Sequence, residues 1–254
     1  MNFDLSGDQR AIVDEVQKTC RAFDENYWRK HDAEALFPHA FHKAMADAGW
    51  LGIAMPEVQG GAGLGITEAA LMLQAVSASG AGFSGASAIH MNIFGLNPVV
   101  VFGSEAQKQR MLPPLIAGFD KACFAVTEPD AGLDTTQLKT QAVRDGDHYV
   151  LNGRKIWIST AQVANKMLIL ARTTPMDQVD KPTKGLSLFY TDLDRQHVDV
   201  REIDKMGRAA VDSNMLFIDQ LRVPVSDRIG EEGHGFMYQM MQFQEERLWA
   251  AASC

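Results

Sequence analysis

The spacing of apolar residues along the chain changes twice and divides it into three regions. From Ser6 to about Gly118 the apolar residues recur at the spacing of an amphipathic helix, as Ile12, Val16 and Phe23 show. Ser6 is a suitable N-cap, because its hydroxyl can accept a hydrogen bond from a free amide of the first turn. The first region is therefore predicted to be all helical, with further helices at 39–48, 67–79 and 104–117.

The second region, from about 121 to 225, alternates apolar and polar residues, which is typical of half-buried strands. Asp145-Gly146-Asp147 is a hairpin turn signal, and Asn152-Gly153 is a second one. Many short strands separated by such turns predict a small antiparallel barrel or sandwich. The segment 142–150 is predicted to be a hairpin that turns at 145–147, and further strands are predicted at 155–158, 167–170, 185–190, 198–203 and 215–223.

The third region returns to good helix formers at 234–252, after a loop at 230–233. A single helix cannot bury its own apolar stripe, so this helix is expected to need partners outside the chain. We therefore expect either a piece of a longer protein, which we favour, or a helical bundle completed by another subunit. The predicted fold class is α+β and multidomain, with an all-α domain at 1–118, a β domain at 119–228 and the first helix of a C-terminal helical bundle at 229–254.

Net charge and composition narrow the class of partner. The 254 residues include 46% hydrophobic and 22% charged residues, which is typical of a globular protein with ample core material. A net charge of -8 argues against nucleic acid as a partner, because phosphate binding needs a basic surface. No apolar run approaches the roughly 20 residues of a membrane helix, and the acidic N-terminus resembles neither a secretory signal nor a transit peptide. We therefore expect a cytoplasmic protein or, in a eukaryote, a mitochondrial matrix protein whose transit peptide is absent.

Two short segments in the second region carry candidate chemistry. In 127–134, Thr-Glu-Pro-Asp-Ala-Gly-Leu-Asp, the proline disfavours helix and the glycine permits a tight turn, so backbone amides and the Thr127 hydroxyl can point at a ligand. Taken alone, this composition favours an ordinary acidic surface loop. Trp157-Ile158-Ser159 adds an indole and a hydroxyl, although a strand tryptophan is commonly a core residue. The two segments together would suit a flat, electron-accepting ring with a diphosphate tail.

Other candidate sites lack a necessary residue. The glycine-rich stretch 60–65 does not follow a strand and does not match the G-x-G-x-x-G pattern, so it is predicted to be a plain loop. The segment 82–86, Gly-Phe-Ser-Gly-Ala, has alanine at the last position of the G-x-S-x-G nucleophile elbow, so a hydrolase serine is not expected there. His39 and His42 could reach one metal ion from a helix, but no matching pair of ligands accompanies them, and helix-surface histidines are the expected explanation.

The order of these features resembles the acyl-CoA dehydrogenase family of FAD flavoproteins. The helical region, the Thr-Glu-Pro loop, the Asn-Gly-Arg-Lys-x-Trp-Ile-Ser hairpin at 152–159 and the returning helix follow one another as in that family. The resemblance covers nearly the whole chain and implies a helical domain, a middle β domain and the start of a C-terminal four-helix domain. Further matching segments are Met-Pro-Glu at 55–57, the 60–63 loop, 102–108, 112–113, 205–207, 217–219 and 223–224.

The resemblance implies that the two segments bind FAD. Gly132 is expected beside the diphosphate, and the Ser159 hydroxyl is expected near flavin N5, the hydride acceptor. Leu133 stands where the family usually has a serine that touches both the FAD phosphate and the CoA arm of the substrate. Leucine cannot donate that hydrogen bond, so this departure bears on phosphate affinity and on CoA placement. The remaining residues implied to contact the flavin are Phe124, Val126, Thr127, Trp157 and Ile158.

The family reaction is α,β-dehydrogenation of an acyl-CoA thioester, in which a carboxylate removes the α-proton and the β-hydride passes to N5. In most members the base lies beyond the point that matches Cys254, and in a minority it lies at the position of Glu246. Glu246 is therefore the candidate catalytic base, with Phe243 and Arg247 as candidate substrate-binding residues. From the residues alone, Glu246 is a solvated helix glutamate, Phe243 a core residue and Arg247 a surface-pairing residue.

Partners and alternatives follow from the same resemblance. It implies an acyl-CoA substrate, an electron-transfer flavoprotein as electron acceptor, and a homo-oligomer, either a tetramer or a dimer. Two alternatives stay open: a non-catalytic remnant that lacks the completed helical bundle, and a flavin oxidase or monooxygenase of the same fold. We predict no metal site.

Overall fold

The computed structural model describes residues 4–254, so the first three residues of the predicted 1–118 helical domain lie outside it. Helices α1–α7 precede the strands in the chain, and α8 follows them. The helices are α1 (Gly7–Cys20), α2 (Glu25–Ala33), α3 (His39–Asp47), α4 (Ile66–Val76), α5 (Gly82–Ile93), α6 (Asn97–Phe102), α7 (Glu105–Ile116) and α8 (Gly235–Ser253). The strands are β1 (Ala122–Ala125), β2 (Gln141–Asp145), β3 (His148–Ser159), β4 (Lys166–Arg172), β5 (Leu186–Asp192), β6 (Val198–Glu202), β7 (Ser213–Pro224) and β8 (Arg228–Ile229).

Ser6 caps α1, as the sequence predicts. Its Oγ accepts a hydrogen bond from the Gln9 amide at 3.1 Å, and Gln9 Oε1 accepts one from the Ser6 amide at 3.0 Å. Ser104 and Gln107 form the same capping box at the start of α7. These reciprocal bonds satisfy amides that have no partner in the first helical turn, which fixes where both helices begin.

Aromatic side chains pack edge to face in the core of the N-terminal helices. Phe41 is fully buried, and its ring centre lies 5.4 Å from that of Phe23 and 5.0 Å from that of Trp28. His42 follows it on α3 and is 2% exposed, so the expectation of a helix-surface histidine is wrong for His42, whereas His39 is exposed as expected. Its Nε2 lies 3.3 Å from Asn92 Oδ1, and burial lowers its pKa to about 4. His42 therefore joins α3 to α5.

The segment from α4 to α6 is strongly apolar. By length and composition, Ile66–Phe102 could cross a membrane, but 78% of its most apolar window is buried inside the protein. Gly80 adopts a φ of 99° within the π-helical turn Ser77–Ala81 and separates α4 from α5. The predicted helix at 67–79 therefore ends earlier, at Val76, and the segment consists of buried core helices.

The strands form one sheet in the order β6-β7-β3-β2-β4-β5-β8, with β1 paired to β4. Neighbours are antiparallel, except that β4 pairs in parallel with β1 and β2. The path ends at β6 and β8, so the predicted barrel is not closed, whereas the predicted sandwich is compatible with it. Strand β4 is buried on both faces. Leu168 and Leu170 belong to a core shared with α7, here called the helix-side core, and Met167 and Ile169 belong to the opposite, strand-side core.

Asn152-Gly153 does not form the predicted turn. Strand β3 continues through it, with a shift in its pairing to β7 at this point. A Cβ on Gly153 would lie 2.3 Å from Thr140 Oγ1, so close packing and not a turn requires glycine here. The predicted turn at 145–147 is confirmed, because β2 and β3 pair directly across it.

Helix α8 packs against α4, α5, α6 and strand β5. The description of α8 as a lone helix is therefore wrong, because the core helices cover one of its faces, whereas the need for partners outside the chain stays a prediction. Gly235 begins the helix against β5, where a Cβ would lie 2.5 Å from the Leu188 amide nitrogen. Another face of the helix, with Met237, Met241 and Leu248, is exposed. Helix α8 thus joins the helical region to the sheet.

Candidate functional site

The two candidate segments meet beyond the end of β1. This strand leads into the loop 127–134, and the Ile156 amide of β3 donates a hydrogen bond of 2.9 Å to the Thr127 carbonyl. Glu128 and Ala131 close the loop with two backbone hydrogen bonds of 3.1 Å. The structure therefore places Thr127 next to the strand that carries the second segment.

A buried ion pair joins the same two segments. Lys155 Nζ lies 3.0 Å from Glu128 Oε1, and the two side chains are 0% and 5% exposed. Lys155 also donates to the carbonyls of Val126 at 3.0 Å and Leu170 at 2.8 Å, which completes the three hydrogen bonds of an ammonium group. Glu128 accepts hydrogen bonds from two backbone amides that follow the loop, at 2.7 and 2.9 Å. The pair thus fixes both segments to the sheet.

Burial and pairing act against each other on the pKa values of this pair. Burial lowers the pKa of Lys155 to about 8, and the Glu128 carboxylate opposes that shift. Burial also acts to raise the pKa of Glu128, but the Lys155 charge and the hydrogen bonds from Thr140 and Lys139 outweigh it, so its pKa is lowered overall. Sequence reasoning assigned no role to the pair. The sequence signal available for it was weak: Glu128 lies two residues after the apolar run 122–126, and Lys155 directly precedes Ile156 and Trp157.

Trp157 presents an exposed aromatic surface at the junction, that is, where the 127–134 loop meets strand β3. The side chain is 59% exposed, although Lys155 before it and Ile158 after it are buried. The pairing of β3 with β7 shifts between Lys155 and Ile158, so the strand bulges and the indole turns outward. The Trp157 φ of 63° lies in the left-handed region, which costs a non-glycine residue on the order of 1–3 kcal/mol. Trp157 is therefore not the core residue that strand tryptophans commonly are.

The turn at Gly132 and Leu133 is open to solvent. A Cβ added to Gly132 would meet no atom within 4 Å. Leu133 is fully exposed, at 108% of its reference area. Thr127, at the start of the loop, is half-buried. The turn is therefore sterically free to receive a ligand against its backbone.

Two of the implied flavin contacts have side chains that point into the protein. Val126 is 1% exposed and lies in the helix-side core, while Ile158 is 2% exposed and lies in the strand-side core. Their carbonyls are also occupied, since Lys155 donates to Val126 and the Asn214 amide group donates to Ile158 at 2.8 Å. Val126 and Ile158 therefore support the two segments from behind.

Ser159, the last residue of β3, is held by an arginine from a distant loop. Arg208 Nη2 donates hydrogen bonds to the hydroxyls of Ser159 at 3.3 Å and Ser213 at 3.2 Å. Its Nη1 donates to the Ser87 hydroxyl at 2.8 Å. Sequence reasoning missed Arg208, because nothing near it in the chain indicates that it reaches β3. Its contacts connect the candidate flavin segment with α5.

Helix α8 reaches the candidate site through Phe243. The centre of the Phe243 ring lies 6.2 Å from that of Phe124 on β1, at an interplanar angle of 87°. Both residues are half-buried, so the implied flavin residue and the implied pocket residue share one surface. Phe243 also packs at the edge of the helix-side core, so the core interpretation holds for part of its ring.

The candidate base Glu246 is half-buried on α8. Burial raises the pKa of its carboxyl, and the neighbouring Arg247 charge opposes the shift. The interpretation of Glu246 as a solvated surface glutamate is therefore wrong, whereas Arg247 is exposed. A carboxylate with raised proton affinity is what the removal of a weakly acidic α-proton requires.

Glu245 serves a different surface. Its Oε1 accepts a hydrogen bond of 2.8 Å from Asn97 Nδ2, and it lines a cavity of about 170 Å³ with side chains of α4 and α5. Burial raises its pKa, and the Asn97 hydrogen bond opposes this shift. Neighbouring residues of a helix point about 100° apart, so Glu245 and Glu246 face different surroundings.

Trp249, one turn after Glu246, connects α8 to α5. The centre of its ring lies 4.2 Å from that of His90 and 5.5 Å from that of Phe83, and both pairs are stacked. The Arg208 guanidinium carbon lies 5.5 Å from the centre of the same Phe83 ring. A continuous row of side chains therefore runs from α8 to the end of β3.

Comparisons with known proteins identify the family of the chain. The model of the acyl-CoA dehydrogenase N-terminal domain matches residues 6–119, and that of the acyl-CoA dehydrogenase middle domain matches residues 123–221. The chain is 32% identical over 246 residues to the 3-(aryl)acrylate reductase of Clostridium sporogenes (strain ATCC 15579), which covers 95% of this chain and 59% of the relative. It is also 32% identical over 243 residues to the mitochondrial short-chain specific acyl-CoA dehydrogenase of Mus musculus, and this match covers 93% of this chain and 58% of the relative.

A solved structure has the same fold. The acyl-CoA dehydrogenase of Geobacillus kaustophilus superposes with a TM-score of 0.92 at 28% identity, over 100% of this chain and 66% of that one. The chain spans 58–59% of the length of the two curated relatives. Because the two domain matches together cover most of its residues in the family's order, the chain belongs to the acyl-CoA dehydrogenase family.

Proposed function

We propose that the full-length protein is an FAD-dependent enzyme that removes two hydrogens from the α and β carbons of an acyl-CoA thioester. The observation that carries the proposal is the junction of the 127–134 loop with the Trp157 strand, which the Glu128–Lys155 pair holds together. Membership of the family supports the reaction class. The half-buried Glu246 on α8 supports the presence of a proton acceptor within this chain.

The residues at the junction fit a flavin ring and its diphosphate. The Trp157 indole offers a flat face that is 59% exposed, and aromatic rings stack favourably on such a face. The hydroxyls of Thr127 and Ser159 can donate hydrogen bonds to the polar edge of the ring. The open turn at Gly132 allows backbone amides to approach a diphosphate without an intervening side chain.

The reaction requires an electron acceptor and a proton acceptor. Bound FAD would supply the electron acceptor for the β-hydride. Glu246 takes the α-proton, because burial makes its carboxylate a stronger base than a solvated glutamate. The Phe124 and Phe243 rings meet edge to face and form an apolar wall that limits water around the acyl group.

Leu133 occupies the position at which the family usually has a serine. Its side chain is fully exposed and carries no hydroxyl, so it cannot hydrogen-bond a phosphate or the CoA arm. The backbone amides of the turn would then hold the phosphate, and Leu133 would offer the CoA arm only apolar contact. We expect a weaker hold on the phosphate than a serine would provide.

FAD binding by the purified full-length protein tests the proposal. We expect flavin absorbance to appear on reconstitution, and Trp157→Ala to weaken FAD binding about tenfold, the ~1.4 kcal/mol of a strong ring-stacking contact. Phe119→Ala is the matched control, since Phe119 is 81% exposed and lies outside the junction. A protein that is folded by circular dichroism but stays colourless with excess FAD would contradict the proposal.

The electron acceptor separates the dehydrogenase from the alternatives of the same fold. We propose an electron-transfer flavoprotein as the acceptor, which predicts slow reoxidation by dioxygen and fast turnover with such a protein. Fast reoxidation by dioxygen would instead favour an oxidase or a monooxygenase. A protein that binds FAD but is reduced by no acyl-CoA would favour the non-catalytic alternative.

A further inference from the structure

Arg208 lies where three parts of the molecule meet. Its guanidinium donates hydrogen bonds to Ser159 at the end of β3, to Ser213 at the start of β7 and to Ser87 on α5. Its guanidinium carbon also lies 5.5 Å from the centre of the Phe83 ring. The guanidinium therefore sits between the helical region and the sheet, beside the residue implied to face flavin N5.

The loop between β6 and β7 holds Arg208 in an uncommon conformation. Its φ of 54° lies in the left-handed region, which few non-glycine residues adopt. On the C-terminal side, Asp32 Oδ1 of α2 accepts hydrogen bonds from the amides of Ala209 at 2.6 Å and Ala210 at 3.4 Å. Lys205 donates to the Val211 carbonyl across the same loop. These contacts fix the direction in which the arginine side chain leaves the loop.

The positive charge of Arg208 has no hydrogen-bonded counter-charge within residues 4–254. Its three side-chain acceptors are serine hydroxyls, which are neutral. Burial lowers the pKa of the guanidinium, and Asp212 opposes this at longer range. A guanidinium stays charged in proteins in spite of such a shift. The guanidinium and its three serine acceptors therefore carry one positive charge beside Ser159, and Asp212 opposes it without a hydrogen bond.

We propose that Arg208 is a positioning residue for the flavin, which orients the Ser159 hydroxyl and places a positive charge beside the ring. This inference rests on the proposed function. Because Ser159 Oγ accepts from Arg208, its own proton points away from the guanidinium and is free to donate to a ligand. A fixed positive charge in a partly desolvated site stabilises an electron-rich ring more than an oxidised one. Arg208 thereby raises the reduction potential of bound FAD.

The two-electron midpoint potential of FAD bound to the full-length protein tests this role. Arg208→Gln keeps a hydrogen-bond donor and removes the charge. We therefore expect the midpoint potential to fall by at least about 30 mV, which lowers the ratio of reduced to oxidised flavin at a fixed applied potential at least tenfold. Arg208→Lys restores the charge and is expected to recover more than half of the shift. Arg201→Gln is the matched control, because its side chain is 67% exposed and lies near the Phe217 ring instead. We expect no change in potential from this control.

Failure of the inference is distinguishable from failure of the proposed function. If the wild-type protein binds no FAD, the proposed function and the role of Arg208 both fail. If the wild type binds FAD and Arg208→Gln has the same potential, the role of Arg208 is wrong while the proposed function stands. If Arg208→Gln does not fold, Ser159→Ala carries the test, since loss of the oriented hydroxyl is also expected to lower the potential. An unchanged potential in Ser159→Ala would then overturn the inference.

Discussion

Replacing Glu128 with glutamine leaves the Lys155 ammonium buried without its counter-charge. In the wild-type protein this ammonium is 0% exposed and lies 3.0 Å from Glu128 Oε1. Glutamine keeps the size of the side chain but has one acceptor oxygen where the carboxylate has two, so one of the two backbone amides that bind Glu128 loses its acceptor. The substitution therefore isolates the charge of the pair from its size.

The expected loss of stability follows from the burial of the pair. Removal of one partner from a buried ion pair costs about 3–5 kcal/mol, because the remaining charge has lost its compensation. The carbonyls of Val126 and Leu170 still accept from Lys155, so we expect the lower end, about 3 kcal/mol, for Glu128→Gln. Lys155→Met removes the other charge and is expected to cost a similar amount. The double variant buries no charge at this place, so its cost should be less than the sum of the two.

Urea unfolding of the four proteins measures these free energies. The double-mutant cycle is expected to give a coupling energy of at least about 1.5 kcal/mol between Glu128 and Lys155. Lys139→Gln is the control, since Lys139 pairs with Asp130 at 3.6 Å with a side chain 75% exposed, and its loss should be within about 0.5 kcal/mol. Single losses below about 1 kcal/mol, or losses that add within about 0.5 kcal/mol, would refute the reasoning.

Three further substitutions test protonation and packing. Burial lowers the pKa of His90 to about 4 from 6.5, so the unfolded state binds more protons between these values and stability falls as the pH falls from 6.5 to 4. His90→Phe is expected to remove about 3 kcal/mol of that dependence in urea titrations, and parallel profiles for the two proteins would contradict this. Trp249→Ala should cost about 3–5 kcal/mol of unfolding free energy, because it removes the ring stacked on His90. Leu248 is 51% exposed, so Leu248→Ala should cost only about 0.5 kcal/mol. Equal losses would show that the stacked rings do not anchor α8. Gly153→Ala should cost about 1–3 kcal/mol, because its Cβ would lie 2.3 Å from Thr140 Oγ1, and an unchanged melting temperature would mean that β3 can shift.

Features that depend on neighbouring residues in the chain could be predicted from the sequence. The helix predicted at 104–117 is α7, Glu105–Ile116, because a capping serine and helical spacing are local signals. The strand predicted at 167–170 lies inside β4, Lys166–Arg172. The order of helices, strands and a returning helix was also visible, since each class of element has its own apolar spacing.

Features that depend on distant residues could not be predicted in this way. Glu128 and Lys155 are 27 residues apart, and Arg208 is 49 residues from Ser159. The chain offers no periodic signal for such pairs, because they exist only after β1, β3 and the β6–β7 loop come together. The same holds for the Asn152-Gly153 pair, whose turn signal is overridden by the pairing of β3 with β7.

The exposure of Trp157 shows a local cause that the sequence does not display. Regular alternation along β3 would turn successive side chains to opposite faces. The shift in pairing between Lys155 and Ile158 breaks that alternation and leaves the indole outside. Its place beside the 127–134 loop is therefore a consequence of the assembled sheet.

Anaerobic bleaching of the flavin by an acyl-CoA tests the central claim most directly, in the full-length protein and in two matched variants. We expect the wild type to bleach, and Glu246→Gln to keep its FAD but to be reduced at least about 100-fold more slowly, as loss of a general base requires. Glu245→Gln should bleach at nearly the wild-type rate, because that carboxyl faces Asn97 and a separate cavity. Reduction of Glu246→Gln at the wild-type rate would contradict the account of α8 as the source of the base.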